Sequence, residues 1–176
     1  MNMGIPQYIL ALLVFGMVLV TVTTKQAIWI NDNHQNFNFE CPVGESIVYF
    51  YGWIITSAND RLWHFHCAPR SSIGSCSWSG YSSAASDTTY KCSGNGALAG
   101  IRSYYVTSDG DRRFSYRCCS VSLSSPSCVD SGYVNSIDGQ VEYGVPGHEY
   151  INGMSSTFDS TAKDRRFKVH ECRFRY

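Results

Sequence analysis

Three segments of this chain carry one pattern: aspartate and arginine, then alternating aromatic or branched residues, then cysteine. They are Asp60-Arg61-Leu62-Trp63-His64-Phe65-His66-Cys67, Asp111-Arg112-Arg113-Phe114-Ser115-Tyr116-Arg117-Cys118-Cys119 and Asp164-Arg165-Arg166-Phe167-Lys168-Val169-His170-Glu171-Cys172. The aspartates are spaced by 51 and 53 residues, and a turn sequence precedes each by 19: Cys41-Pro42-Val43-Gly44, Cys92-Ser93-Gly94 and Val145-Pro146-Gly147. A repeated unit of this length buries its apolar face only against its neighbours. The spacing therefore predicts one domain made of three internal repeats, at about residues 29–67, 78–119 and 130–172.

Within each repeat the third and fifth residues after the aspartate are aromatic or branched and alternate with polar ones. That is the period of a half-buried strand. The stretches after the first cysteines, Ser46 to Tyr51 and Ala97 to Arg102, hold β-forming or small residues. Clusters of Ser, Gly and Asn separate these runs, and no window carries a helical stripe. The fold expected is all-β.

The chain has 176 residues, 44% of them apolar and eight of them cysteine, so disulfides supplement a real core here and do not replace one. Cys67 and Cys118 stand seven residues after their aspartates, and each has a cysteine 26 residues upstream. This predicts Cys41–Cys67 and Cys92–Cys118 as matching staples. The remaining four then pair as Cys76–Cys119 and Cys128–Cys172, from the linkers to the eighth position. No thiol is left for catalysis.

Oxidised cysteines need an export route, and the N-terminal stretch supplies one. Ile9 to Val22 is an apolar run of about 14 residues, too short for a span of roughly 20 and suited to a signal peptide. Residues 1–24 are read as that peptide and 25–176 as the mature domain, with no stable membrane span after cleavage. With 14 basic against 14 acidic side chains, the chain does not have the charge of a nucleic-acid binder.

The three aspartate-arginine strands, the C-P-x-G turn at Cys41, the C-S-x-N-G turn at Cys92, the vicinal Cys118-Cys119 and the segment running from Phe158 into Asp164-Arg165 are shared with a known family. In these residues the sequence resembles the dermatopontins, the tyrosine-rich acidic matrix proteins, over about residues 29–174. The resemblance implies a secreted, non-enzymatic extracellular-matrix protein. It implies binding of proteoglycans, sulfated glycosaminoglycans or other anionic glycans, cell adhesion and collagen organisation. In invertebrate relatives it implies a haemagglutinin, cell-aggregation factor or cytolysin acting on cell-surface glycans. The family's usual fifth disulfide is missing, and little more than Lys25 to Ile30 precedes the first repeat, which likens the chain to the short invertebrate members. The repeat rhythm is also similar to that of the vitelline membrane outer layer proteins, which implies a pseudo-threefold β-prism, with a β-trefoil as the alternative.

The chemistry expected of the chain is binding. Nine of the 14 cations gather in repeats two and three. Arg112, Arg113, Arg117, Arg165, Arg166 and Lys168 are the candidates for holding an anionic glycan, and strand alternation puts Arg113, Arg117 and, in part, Arg166 and Lys168 on exposed rows. The competing reading of the three aspartate-arginine pairs is structural: aspartate opens the strand and arginine pairs across strands. Trp53 is the least constrained aromatic and the expected sugar contact, whereas Trp29, Trp63 and Trp78 are expected in the core. His64 and His66 lack a third ligand, so no metal is expected. No nucleophile elbow, HExxH, P-loop or dinucleotide fingerprint is present, and no cofactor is implied.

Overall fold

The computed structural model describes residues 29–70, 72–83, 85–122 and 126–173. The leader at 1–24 and Arg175 lie outside these residues. The described chain is built on three long antiparallel hairpins. The first joins β2 (Glu45–Ile55) to β3 (Asp60–Pro69), the second β6 (Ala97–Val106) to β7 (Asp111–Val121), the third β10 (Glu149–Asp159) to β11 (Asp164–Arg173).

Each hairpin closes in the same register. Ile55 faces Asp60, Val106 faces Asp111 and Asp159 faces Asp164. The residue before each aspartate has a left-handed backbone: Asn59 at φ 53°, Gly110 at φ 64° and Lys163 at φ 54°. Glycine adopts that conformation freely and asparagine tolerates it, while lysine does so at a steric cost. Each outgoing strand also carries a bulge at the matching place, between Ile47 and Tyr49, Leu98 and Gly100, and Ile151 and Gly153. A bulge bends its strand and increases the local twist.

Five shorter strands complete three sheets. Their order is β1 (Phe37–Glu40)-β6-β7-β4 (Ile73–Trp78), then β5 (Thr88–Lys91)-β10-β11-β8 (Ser127–Asp130), then β3-β2-β9 (Val141–Gly144). The strand preceding each hairpin in sequence joins a different one. β1 adds to the second hairpin, β5 to the third and β9 to the first, so the exchange closes on itself. Where β5 pairs with β10, a Cβ on Gly153 would lie 2.1 Å from the Tyr90 carbonyl, so only glycine fits.

The core forms where the hairpins meet. Trp63, Phe114 and Phe167, each third after its aspartate, pack edge to face around one another at 5.4, 6.0 and 6.2 Å. Edge-to-face packing brings the positive rim of one ring onto the negative face of the next. Phe65, Tyr116 and Val169 extend this core, with Ile47, Leu98, Ile101 and Ile151 from the outgoing strands. Trp63 is therefore central, as expected. Trp29 and Trp78 are not: each is only half-buried, at the edge of the packed interior. Trp78 lies directly opposite Arg117 in the ladder, which puts it over the outer face of its sheet.

Four disulfides join Cys41 to Cys67, Cys92 to Cys118, Cys76 to Cys119 and Cys128 to Cys172. These are the pairs that the cysteine spacing predicts, and they fall into two kinds. Cys76–Cys119 and Cys128–Cys172 join residues directly opposite in a ladder, with Cα atoms 3.9 and 4.0 Å apart. Cys41–Cys67 and Cys92–Cys118 span 5.7 and 5.5 Å and bind one sheet to the next. The third hairpin has Val145 and Glu171 at the matching positions. The amides of Cys41, Cys92 and Val145 each donate to a bulge carbonyl, of Ala99, Asn152 and Val48, at 2.9 Å. In place of a third staple, the Tyr143 hydroxyl donates to Glu171 Oε2 at 2.5 Å.

Candidate functional site

The aspartate-arginine pairs form a closed ring. Arg112 binds Asp60, Arg165 binds Asp111 and Arg61 binds Asp164, so every hairpin gives an arginine to one neighbour and an aspartate to the other. Each contact is a two-pronged fork: Arg165 Nε and Nη2 both reach Asp111 at 2.7 Å, and Arg61 Nη2 reaches Asp164 Oδ2 at 2.7 Å with Nε at 3.1 Å from Oδ1. The six side chains are at most 5% exposed. Their spare donors go to carbonyls of Gly139, Gln35 and Ser86. Fork-to-fork pairs of this kind satisfy both charges at once, which is what allows them below the surface. The hollow that the ring borders is about 30 Å³, room for about one water and no larger ligand.

This placement sorts the sequence candidates. Arg112 and Arg165 are occupied with neighbouring hairpins. Arg113 was expected on an exposed row and is 4% exposed. The reason lies in the second hairpin's turn. Asp60 and Asp164 each accept a loop amide, from His34 and Asp138, but Asp111 accepts Arg113 Nη1 at 2.9 Å instead, and Asp109 binds the other end of that guanidinium. Arg117 is partly exposed, 3.4 Å from Glu40. Trp53 is 45% exposed on the outer face of β2. It belongs to a different sheet from Arg166 and Lys168, so the structure does not bring these candidates together.

Arg166 and Lys168 do converge. Both lie on the outer face of β11 over the ring of Tyr133, with the guanidinium 4.0 Å and the ammonium 4.4 Å from its centroid. Neither enters a salt bridge among the described residues. Tyr133 is 40% exposed. Beside it runs a groove of about 150 Å³ lined by Asp87, Thr88, Thr89, Ser155, Thr157 and Lys168. Cations held over an aromatic face keep their charge available while the ring fixes their position. Hydroxyls alongside offer both donors and acceptors. The arrangement suits a polar, anionic ligand with many hydroxyl groups.

Tyr133 was missed in the sequence, although a signal for it exists. Ser79-Gly80-Tyr81 and Ser131-Gly132-Tyr133 are the same tripeptide, 52 residues apart, and Trp29 stands a further 52 upstream. In each case the next amide donates to the hairpin: Ile30 to the Trp63 carbonyl, Ser82 to Phe114 and Val134 to Phe167, at 2.7–2.9 Å. Three aromatic rings are thus hung at matching places, each against different neighbours. Trp29 stacks on Tyr51 at 5.6 Å. Tyr81 meets Tyr104 and Arg102, at 4.9 and 5.0 Å.

Elsewhere on the surface, His64 and His66 face each other at 4.5 Å beside Tyr49, whose hydroxyl bonds Glu142. Among the described residues no cluster of three metal-ligating side chains occurs, and no helix is long and apolar enough to cross a membrane. His170 is buried against Asp130 and, together with Lys91, holds that carboxyl below the usual carboxylate range.

A disulfide-bonded all-β chain with two half-buried cations mounted on an exposed tyrosine, beside a hydroxyl-lined groove, has the features of a binding protein. The sequence matches the family described as Dermatopontin over residues 31–176. A dermatopontin of Biomphalaria glabrata is 35% identical over 150 residues, which cover 82% of this chain and 99% of the relative. A hemagglutinin/amebocyte aggregation factor of Limulus polyphemus is 31% identical over 162 residues, covering 90% and 94%. Dermatopontin of Mus musculus is 32% identical over 156 residues, covering 82% and 76%. The chain belongs to the dermatopontin family. No solved structure matches it.

Proposed function

We propose that this chain is a secreted, non-enzymatic protein of the extracellular matrix that binds sulfated or otherwise anionic glycans, as free chains or on proteoglycans, and so supports adhesion between cells and matrix. Residues 1–24 act as its signal peptide and 25–176 as the mature domain. Its three hairpins are three repeats about a pseudo-threefold axis, arranged as a β-prism rather than a trefoil.

One observation carries the binding reading: Arg166 and Lys168 share the face of Tyr133 next to the hydroxyl-lined groove, with no salt bridge to either cation among the described residues. Neutral overall charge does not oppose this, because the arginines of the ring are matched one to one by aspartates. Contacts with a polyanion are weakened by salt. Retention of the disulfide-intact protein on immobilised heparin at physiological salt, reduced in Arg166→Ser/Lys168→Ser, is the expected result. Passage of the wild type through the column at low salt would rule the reading out.

A second reading follows from the Limulus relative, named a hemagglutinin and aggregation factor, which the chain matches over nearly its whole length. Agglutination of red cells that soluble sulfated glycans inhibit would place this protein with it. Folded protein without effect on cells over a wide concentration range would exclude that activity.

A further inference from the structure

The groove beside Tyr133 does not end at β5. A second and larger hollow, of about 450 Å³, lies on the other side of that strand and shares Asp87, Thr88 and Thr89 with the first as a common wall. Its remaining lining is the Ser79–Ser83 loop with Tyr81, then Phe114, Tyr90 and Tyr116, the last two stacked at 4.9 Å. Tyr81 is 45% exposed. It carries the same kind of cation mount as Tyr133, since the guanidinium of Arg102 lies between Trp78 at 4.6 Å and Tyr81 at 5.0 Å. Arg102 is fixed there by Ser115 Oγ at 3.1 Å and, at 3.5 Å, by the Ser79 carbonyl, and it forms no salt bridge among the described residues. Lys168 lines one end of the double groove beside Tyr133, Arg102 packs against the Tyr81 ring that lines the other, and the middle has hydroxyls.

We infer that the two hollows are one binding groove across β5, and that its ligand is an acidic oligosaccharide long enough to reach both the Tyr133 and the Tyr81 ends, presenting a hydroxyl rather than an acidic group to Asp87 between them. Charge fixes that pattern. The cations stand at the ends, while Asp87 in the shared wall repels an anionic group at the centre. Asp87 Oδ1 already accepts the Phe158 amide at 3.0 Å, so its carboxylate is held in place and has acceptor capacity left for a sugar hydroxyl. Hollows of this size hold a ligand of a few rings. The chemistry could come from a free glycosaminoglycan or from the glycan of a proteoglycan, which present the same groups.

The inference rests on the anionic-glycan reading, and size-defined heparin oligosaccharides separate the two. Calorimetric titration of the full disulfide-bonded protein with di-, tetra-, hexa- and octasaccharides should show affinity rising once the chain is long enough to pass β5. Arg102→Gln should remove that rise, lowering affinity for the long oligosaccharides by roughly tenfold, the worth of one charge-assisted contact, to the value for the short ones. Tyr81→Ser provides a second variant at the same end that leaves the Arg102 bonds to Ser115 and Ser79 in place, and it should act in the same direction. Affinity independent of length, or a rise that survives both substitutions in proteins with wild-type melting curves, overturns the single groove. If no oligosaccharide of any length binds the wild type, the glycan reading falls and the groove with it.

Discussion

Arg112 of the second hairpin holds Asp60 of the first through two parallel hydrogen bonds, Nε to Oδ1 at 2.5 Å and Nη2 to Oδ2 at 2.8 Å. Both side chains are shielded from water, so the pair works as a joint between sheets. Removing one partner of such a pair leaves the other charge buried and alone. Arg112→Ala is expected to cost about 3–5 kcal/mol, and Arg112→Lys to recover only part of it, because an ammonium cannot make the fork. Guanidinium unfolding with the disulfides intact measures this.

The turn residues differ in strain. Gly110 and Lys163 have the same left-handed backbone, and a Cβ on Gly110 would lie 3.1 Å from the Lys163 side chain. Gly110→Ala should destabilise by about 1–2 kcal/mol, and Lys163→Gly should stabilise by about 0.5–1 kcal/mol. Opposite shifts of the thermal midpoint would bear this out; equal effects would not.

The third hairpin lacks an inter-sheet staple, and Val145 and Glu171 stand where the other two hairpins have cysteines. Val145→Cys/Glu171→Cys should form a fifth disulfide, seen as the loss of two hydrogens by mass spectrometry. A loop of this length contributes about 3 kcal/mol in the chain-entropy model. Losing the Tyr143–Glu171 bond takes back about 1 kcal/mol, so a net gain near 2 kcal/mol is expected from denaturation curves.

At alkaline pH the buried phenols set the limit. Burial pushes Tyr116 and Tyr150 above the ordinary tyrosine range, and burial with the Glu171 hydrogen bond does the same for Tyr143. The unfolded phenols titrate near about pH 10. A raised folded value means that their stabilising contribution is whole below that pH and is lost as pH rises toward the folded values. Stability should therefore fall above about pH 10, and less steeply in Tyr116→Phe. Ultraviolet absorbance during the titration should show these hydroxyls ionising only as the chain unfolds.

Much of this was readable from spacing. Asp60, Asp111 and Asp164 mark the hairpin turns because the turn and the strand it opens recur with them, and cysteines at fixed offsets follow. Strand alternation put Arg166 and Lys168 in part on exposed rows, and both are half-buried on the outer face of β11. It failed for Arg113, which is on the outer row too but is drawn inward by Asp109 and Asp111, a local charge effect that a period of two does not carry. The core expectation failed for Trp29 and Trp78: Trp29 precedes the first strand and stacks on Tyr51, and the ladder turns Trp78 to the outer face beside Arg117. The site itself was half legible. Its cations stood out, while Tyr133 and Tyr81 sit in irregular loops whose only mark is the repeated Ser-Gly-Tyr.

The passing of each short strand to another hairpin's sheet has a consequence for how the chain can come apart. β1, β5 and β9 leave no hairpin with a complete sheet from its own segment, and the ring leaves each with an arginine and an aspartate whose partners belong to its neighbours. No third of this molecule is a domain in its own right. A protease that cut between hairpins would liberate no working fragment, and a gene encoding one or two units would not yield a smaller version of the protein. Selection has to act on the trio as a single object.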